Sequence, residues 1–257
     1  MKLAEHPKIF AIMKEFWSRT YCSNAPIFEH PFGEFDCHYG YMYINRVCYR
    51  VPDLISNLHR GKKSRPLQRS LTPHLDCCPT QLYNSGKNVP RWRPIQSLIA
   101  LTPNLEASTG GFEAVPGFHH EFQTYFAKKS TPVVQHPKPV CIGDFSPLSM
   151  SKDKGVIQRF EHIPYEAGSL VLWDWRIPHA NAYHHRGMKP REVVFVEYLP
   201  DVPVNRTYAR KQLEMYLKKK LPVDHWQNPN KGGKPLAYEF HDFSTLGAQL
   251  IGLCPWE

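Results

Sequence analysis

Residues 168–200 read GSLVLWDWRIPHANAYHHRGMKPREVVFVEYLP. An apolar run, Ser169–Trp173, leads into a turn. His179 follows, then a polar loop, then a second β-rich run that opens with Pro190-Arg191. Outward from this stretch the pattern repeats. Short strand-like runs appear at 93–102, 111–115, 132–141, 156–163, 168–174 and 191–199, with turn residues between them. The segment 32–49 is aromatic and β-rich as well. Regular short strands without a strand–helix–strand rhythm predict a mainly β sandwich or jelly roll. Helices flank it. Ile9, Ile12, Met13, Phe16 and Trp17 repeat at helical spacing in 5–20, and Ala209, Leu213, Tyr216, Leu217 and Leu221 do so in 205–221. The tail carries a loop, HWQNPNKGGKP, and then a short apolar segment, LGAQLIGL. No internal repeat breaks the chain, so residues 1–257 are expected to form a single domain. Its core would span about 70–200, with helical and loop extensions at 1–22 and 205–257.

Composition agrees with this reading. Of the 257 residues 24 are Pro, well above the usual share, and such density breaks helices repeatedly. Hydrophobic residues at 42% exclude a wholly disordered chain. No apolar stretch is long enough for a membrane span. The start, MKLAEHPKIF, lacks the apolar stretch of a secretory signal, and the end, CPWE, is no peroxisomal or reticular address. An intracellular, cytoplasmic location is expected. Seven cysteines, an odd number without a Cys-x-x-Cys pair, fit a reducing compartment. The net charge of +9 is local. Segments 60–69 and 205–221 carry it, and the rest is nearly neutral. Either segment is a solvated surface or a landing place for an anionic partner. Asn205-Arg206-Thr207 matches a glycosylation acceptor, which means little without secretion.

Chemistry gathers at His74-Leu75-Asp76. On a strand, residues i and i+2 share a face, so an imidazole and a carboxylate stand side by side with Leu75 turned away. Two-thirds of a 2-His-1-carboxylate facial triad is then in place, a ligand set that leaves positions open on Fe(II). His179 is a candidate third ligand. Arg191 opens the following strand, and its forked guanidinium suits a bidentate grip on a carboxylate.

In these segments the chain resembles the phytanoyl-CoA dioxygenase family of Fe(II)/2-oxoglutarate oxygenases. The resemblance rests on PHLD (73–76), RPIQSLIALT (93–102), TGGFEAVPGFHHEF (109–122) and the stretch 168–200, in that order and spacing. It covers about half the chain. The fold it implies is a double-stranded β-helix, a cupin-like jelly roll. It implies His74, Asp76 and His179 as iron ligands and Arg191 as the anchor of the distal 2-oxoglutarate carboxylate. It further implies hydroxylation of a substrate by O₂ with release of succinate and CO₂. The presence of Asp76 argues against a halogenase. Leu75 stands where the family often has Gln, and PGFH replaces PGSH.

Other residues carry weaker signals. Asn181, two after His179, is placed either to touch the 2-oxoglutarate carboxylate or to form a turn. Gln96 falls on the expected pocket strand. His119 and His120 follow a Gly-rich turn, and His184 and His185 are expected to be an exposed pair. Cys77 and Cys78 follow Asp76, but thiolates suit zinc better than an Fe(II)-oxygenase site. Trp173 and Trp175 are expected in the core. The leading expectation is a dioxygenase acting on a small organic substrate, with an anionic molecule or a CoA-type thioester among the options. The alternatives are an oxygenase of nucleic acid or protein, a non-catalytic jelly-roll metal-binding protein and, more distantly, a zinc hydrolase. No recognisable nucleic-acid-binding module supports the first alternative.

Overall fold

The computed structural model describes residues 1–22, 30–58, 72–79, 90–129, 145–220 and 238–256. The expected strand 132–141, the basic segment 60–69 and the loop HWQNPNKGGKP lie outside them. The elements in chain order are α1 (Pro7–Thr20), β1 (Gly40–Tyr43), β2 (Val47–Arg50), α2 (Asp53–Leu58), β3 (His74–Leu75), β4 (Ile95–Ala100) and β5 (Phe112–Ala114). Then come α3 (Phe118–Lys129), β6 (Ser146–Pro147), α4 (Lys154–Ile157), β7 (Glu161–His162), β8 (Leu170–Asp174), β9 (His179–Asn181), β10 (Arg191–Phe195), β11 (Glu197–Pro200), α5 (Pro203–Leu217) and α6 (Thr245–Ile251). Among the described residues no helix is long and apolar enough to cross a membrane. The chain gathers into two compact units, one from residues 1–45, 81–96 and 196–257, the other from 46–80 and 97–195.

In the first unit β1 pairs antiparallel with β11, Gly40 opposite Pro200 and Tyr43 opposite Glu197. Proline at the first turn starts both α1 and α5, where its missing N–H costs nothing. Helix α1 buries Phe10, Met13 and Trp17, while Ile12 and Phe16 remain exposed. The buried stripe is thus turned from the one the spacing predicts. Phe10 is drawn in by aromatic neighbours, stacking on Trp256 at 5.7 Å and packing on Tyr198 at 5.2 Å. Gly40 makes room for Trp17, whose ring would lie 2.8 Å from any Cβ there. Asn205 is fully buried. Its amide accepts from Trp92 N–H at 2.7 Å and donates to the carbonyls of Trp92 (2.9 Å) and Pro200 (2.8 Å). A side chain so engaged is no glycan acceptor in the folded protein. The apolar tail LGAQLIGL forms α6, capped by Ser244, whose Oγ accepts from Gly247 N–H, and stopped by Gly252 at φ 88°.

The second unit holds two sheets. One has the order β2-β10-β4-β8, the other β6-β3-β9-β5-β7. The registers are antiparallel: β10 with β2 and β4, β9 with β3 and β5. Leu98, Ala100, Trp173 and Val193 from the first sheet meet Phe112 and Ala114 from the second, with Tyr165, in one apolar cluster. The sheets therefore pack on each other through their alternating inward residues. In the TGG segment Gly110 has φ +75°, and a Cβ at Gly111 would sit 1.6 Å from Asn104 Oδ1. The turn expected there is real, and its second glycine is required by packing.

Three readings are corrected. The strand expected at 156–163 is α4 followed by the two-residue β7. Asp153 accounts for this: its carbonyl accepts from Val156 and Ile157, and its carboxylate accepts from Ser149 N–H and Tyr125 O–H. The run 191–199 is two strands with different partners, divided at Val196. Helix α3 was missed, although Phe118, Phe122 and Phe126 repeat every fourth residue and are all buried.

Candidate active site

Strand β8 ends at Asp174, and a tight turn redirects the chain. Arg176 grips the Asp174 carboxylate twice, Nε at 2.8 Å and Nη2 at 2.6 Å, while Ile177 N–H donates to the Asp174 carbonyl at 2.9 Å. The turn delivers His179 as the first residue of β9. In the register of β9 with β3, His179 stands directly opposite His74. Opposed residues of an antiparallel pair share a face, and the two rings lie 4.4 Å apart. Asp76 follows one residue beyond β3, its N–H donating to Trp175 O at 3.2 Å. Asp76 Oδ2 is 3.0 Å from His179 Nε2, and Oδ1 is 3.7 Å from His74 Nε2. All three side chains are buried, walled by Phe145, Phe112 and Trp173.

The far nitrogens decide what the near ones offer. His74 Nδ1 is 2.7 Å from the Thr72 carbonyl, and His179 Nδ1 is 2.9 Å from the Ile177 carbonyl. A carbonyl only accepts, so each Nδ1 carries a proton and Nε2 is the nitrogen turned toward Asp76. Burial, reinforced by the neighbouring His179, pushes His74 down to about 4, which keeps it neutral. Two imidazole Nε2 atoms and a carboxylate, buried within 4.8 Å of one another, converge on one spot that suits a cation. Two imidazoles and one carboxylate are the donor set of a facial Fe(II) site. The residues fit the metal that the sequence implies.

Arg191 lies on the other sheet, 1% exposed. Its Nε donates to Tyr165 Oη at 2.6 Å and its Nη1 to Asn181 Oδ1 at 2.9 Å, with Cys48 Sγ 3.6 Å from the same Nη1. Its Nη2 is buried without a partner among the described residues. The guanidinium is thus held on one side and keeps a donor for an anion on the other. Asn181 holds Arg191 through its amide oxygen. Gln96 sits on the fully buried β4, its amide nitrogen without a partner among the described residues. Sequence reasoning missed Tyr165 and Cys48. Tyr165 enters through an isolated bridge to Asn104 and has no strand pattern of its own. Cys48 shares the inward alternation of β2, the only signal that marked it.

Of the neighbouring residues, Trp173 and Trp175 are buried as expected, and His184 is exposed. His185 departs from the expected exposed pair. It is 2% exposed, its N–H donating to Asp53 Oδ2 at 2.9 Å. Cys77 is buried and outside any disulfide, whereas Cys78 is disulfide-bonded, against the expectation of reduced cysteines. A second donor group, Asp36, Cys37 and His38, lies in the first unit. Its Asp36 and His38 are exposed, and Asp36 Oδ1 already accepts the His38 N–H at 2.8 Å.

No family model matches the chain. A Dictyostelium discoideum protein named "Putative phytanoyl-CoA dioxygenase" is 29% identical over 161 residues, 62% of this chain and 39% of that protein. The chain therefore spans about two-fifths of the length of the curated relative it matches. The resemblance read from the motifs is thus found again by whole-sequence comparison. Among solved structures, the hypothetical protein JW0805 from Escherichia coli superposes with TM-score 0.66 at 16% identity, over 98% of this chain and 68% of that one. The product of GlcNAc Inducible Gene 2 from Candida albicans does so with TM-score 0.68 at 17% identity, over 98% and 63%. At such identities these likenesses establish a shared fold.

Proposed function

We propose that the chain is an Fe(II)/2-oxoglutarate-dependent dioxygenase that hydroxylates a small organic substrate. The observation that carries this reading is the convergence of His74 Nε2, His179 Nε2 and the Asp76 carboxylate in one buried spot. The name of the Dictyostelium relative agrees with it. In this reading the two packed sheets are the two halves of a double-stranded β-helix.

With Fe(II) bound, 2-oxoglutarate and O₂ supply oxidative decarboxylation to succinate and CO₂, coupled to oxygen insertion into a C–H bond. The chain's own residues do the rest. His74, Asp76 and His179 would hold the metal from one side and leave the opposite side to ligands. Thr72 and Ile177 keep both imidazoles in the tautomer that presents Nε2. Arg191, held by Tyr165 and Asn181, would take the distal carboxylate with Nη2. Phe112, Phe145 and Trp173 exclude water from the histidines.

Anaerobic titration of the protein with Fe(II) and 2-oxoglutarate tests this reading. A weak visible charge-transfer band, followed by succinate formation on admitting O₂, is the expected result. Absence of both in folded, metal-loaded protein would overturn the oxygenase and favour a metal-binding jelly roll without catalysis.

A further inference from the structure

Arg191 does not stand alone. In the register of β10 with β2 its direct partner is Arg50. Opposed residues of an antiparallel pair point to the same side. On β2 that side is the inward one: Cys48, two residues before Arg50, touches Arg191, while Val47 and Tyr49 are exposed. Two guanidiniums therefore face inward side by side, Arg50 4% and Arg191 1% exposed.

Like charges directly opposed across a strand pair destabilise it, and buried charges call for partners of opposite sign. The partners observed are neutral. Arg50 Nη1 donates to the Ala182 carbonyl and Nη2 to the Tyr183 carbonyl at 2.7 Å. Arg191 is bound by a phenol, an amide oxygen and a thiol. Among the described residues no carboxylate makes an ion pair with either. Asp53 and Glu113 temper the charge of Arg50 only from a distance, against burial and the repulsion of Arg191. Among the described residues each guanidinium also has one buried nitrogen without a partner, Nε of Arg50 and Nη2 of Arg191.

We propose that Arg50 is a second cation of the anion site, sharing with Arg191 the distal carboxylate of the dianionic co-substrate. This rests on the oxygenase reading and deepens it. One carboxylate between two guanidiniums relieves their repulsion and uses both spare donors. Such a site selects 2-oxo acids that carry a second negative charge. Arg50 also braces the chain just after β9 through the carbonyls of Ala182 and Tyr183, so a merely structural role must be told apart from a charge role.

The choice of ligand separates them. Binding of 2-oxoglutarate and of 2-oxobutyrate, which lacks the distal carboxylate, is measured by anaerobic calorimetry on Co(II)-loaded wild type, Arg50→Gln and Arg50→Lys. Loss of a charged hydrogen bond predicts about tenfold or more weaker 2-oxoglutarate binding in Arg50→Gln. The Lys variant should fall between, and 2-oxobutyrate binding should change little in either. Equal weakening for both acids would assign Arg50 to bracing alone and overturn the proposal, as would unchanged 2-oxoglutarate binding. Should the Gln variant fail to fold, the Lys variant read with the same two acids decides by the same criterion. Wild type that binds Co(II) but neither acid would overturn the oxygenase reading and this inference with it.

Discussion

The two sheets of the second unit carry opposite electrostatic burdens. On the five-stranded sheet His74, His179 and Asp76 crowd two imidazole Nε2 atoms and a carboxylate into one buried spot. On the four-stranded sheet Arg191 and Arg50 oppose each other, both buried and both bound by neutral groups. The donors of the first arrangement suit a cation and the guanidiniums of the second suit an anion. A metal chelated by a dicarboxylic 2-oxo acid carries both charges in one ligand assembly. Each sheet, read alone, is a folding liability of a kind that functional sites tolerate. Together they are the support for the ligand proposed above, a metal with a dicarboxylic 2-oxo acid.

Removing a donor from the five-stranded sheet should have the largest effect. His74→Ala, Asp76→Ala or His179→Ala should lower Fe(II)-dependent succinate formation by on the order of 100-fold or more, since even the groups behind metal ligands cost 10–100-fold. Turnover assays of the folded variants decide this, and retained activity in any of them would dismantle the triad. The metal-free protein should next show a pH-dependent loss of stability to which His74 contributes. His74 is held near 4 in the fold against an ordinary 6.5, so as pH falls below 6.5 the unfolded chain takes up the proton first. Stability is then lost between pH 6.5 and 4, by about 3 kcal/mol at most. Thermal melts of the metal-free protein at pH 7 and pH 5, beside a His74→Gln variant, measure it. A variant melting with the same pH dependence would contradict the assignment. The arginines stay charged throughout this range and add no such slope.

On the four-stranded sheet, Arg191→Gln should weaken 2-oxoglutarate binding by roughly 10–100-fold, the worth of hydrogen bonds to a charged group. Co(II) binding should be retained, because the metal donors lie on the other sheet. Parallel loss of both, read by metal titration and calorimetry, would mean that the two sites are not separable. Tyr165→Phe should have the smallest effect. It removes one acceptor from Arg191 Nε, so a few-fold rise in the 2-oxoglutarate requirement is expected, with kcat little changed. A larger fall in kcat than in affinity would give the phenol a direct part in turnover.

Much of this was legible before any coordinates. His74-Leu75-Asp76 shows its shared face because a strand alternates strictly. His179 and Arg191 stand out because each follows or opens a short β-rich run. The aromatic spacing of α3 is equally readable in Phe118, Phe122 and Phe126, although the Gly-rich turn before it reads as a loop. Tyr165, Cys48 and Arg50 were not legible. Each becomes a neighbour of Arg191 through a strand register or a bridge between distant segments, and a lone Tyr, Cys or Arg carries no period that announces it.

Local alternation and side-chain chemistry, both written into short segments, were enough to mark His74, Asp76, His179 and Arg191 as candidates, and the family resemblance supplied the roles proposed for them. The pairing of β10 with β2 was needed to set a second arginine beside the first, and the pairing of β3 with β9 to bring His74 across from His179. Register is a long-range property, chosen by which alternation of two remote strands buries the more apolar surface. A slip of one residue would have turned Arg50 out to solvent and Tyr49 inward.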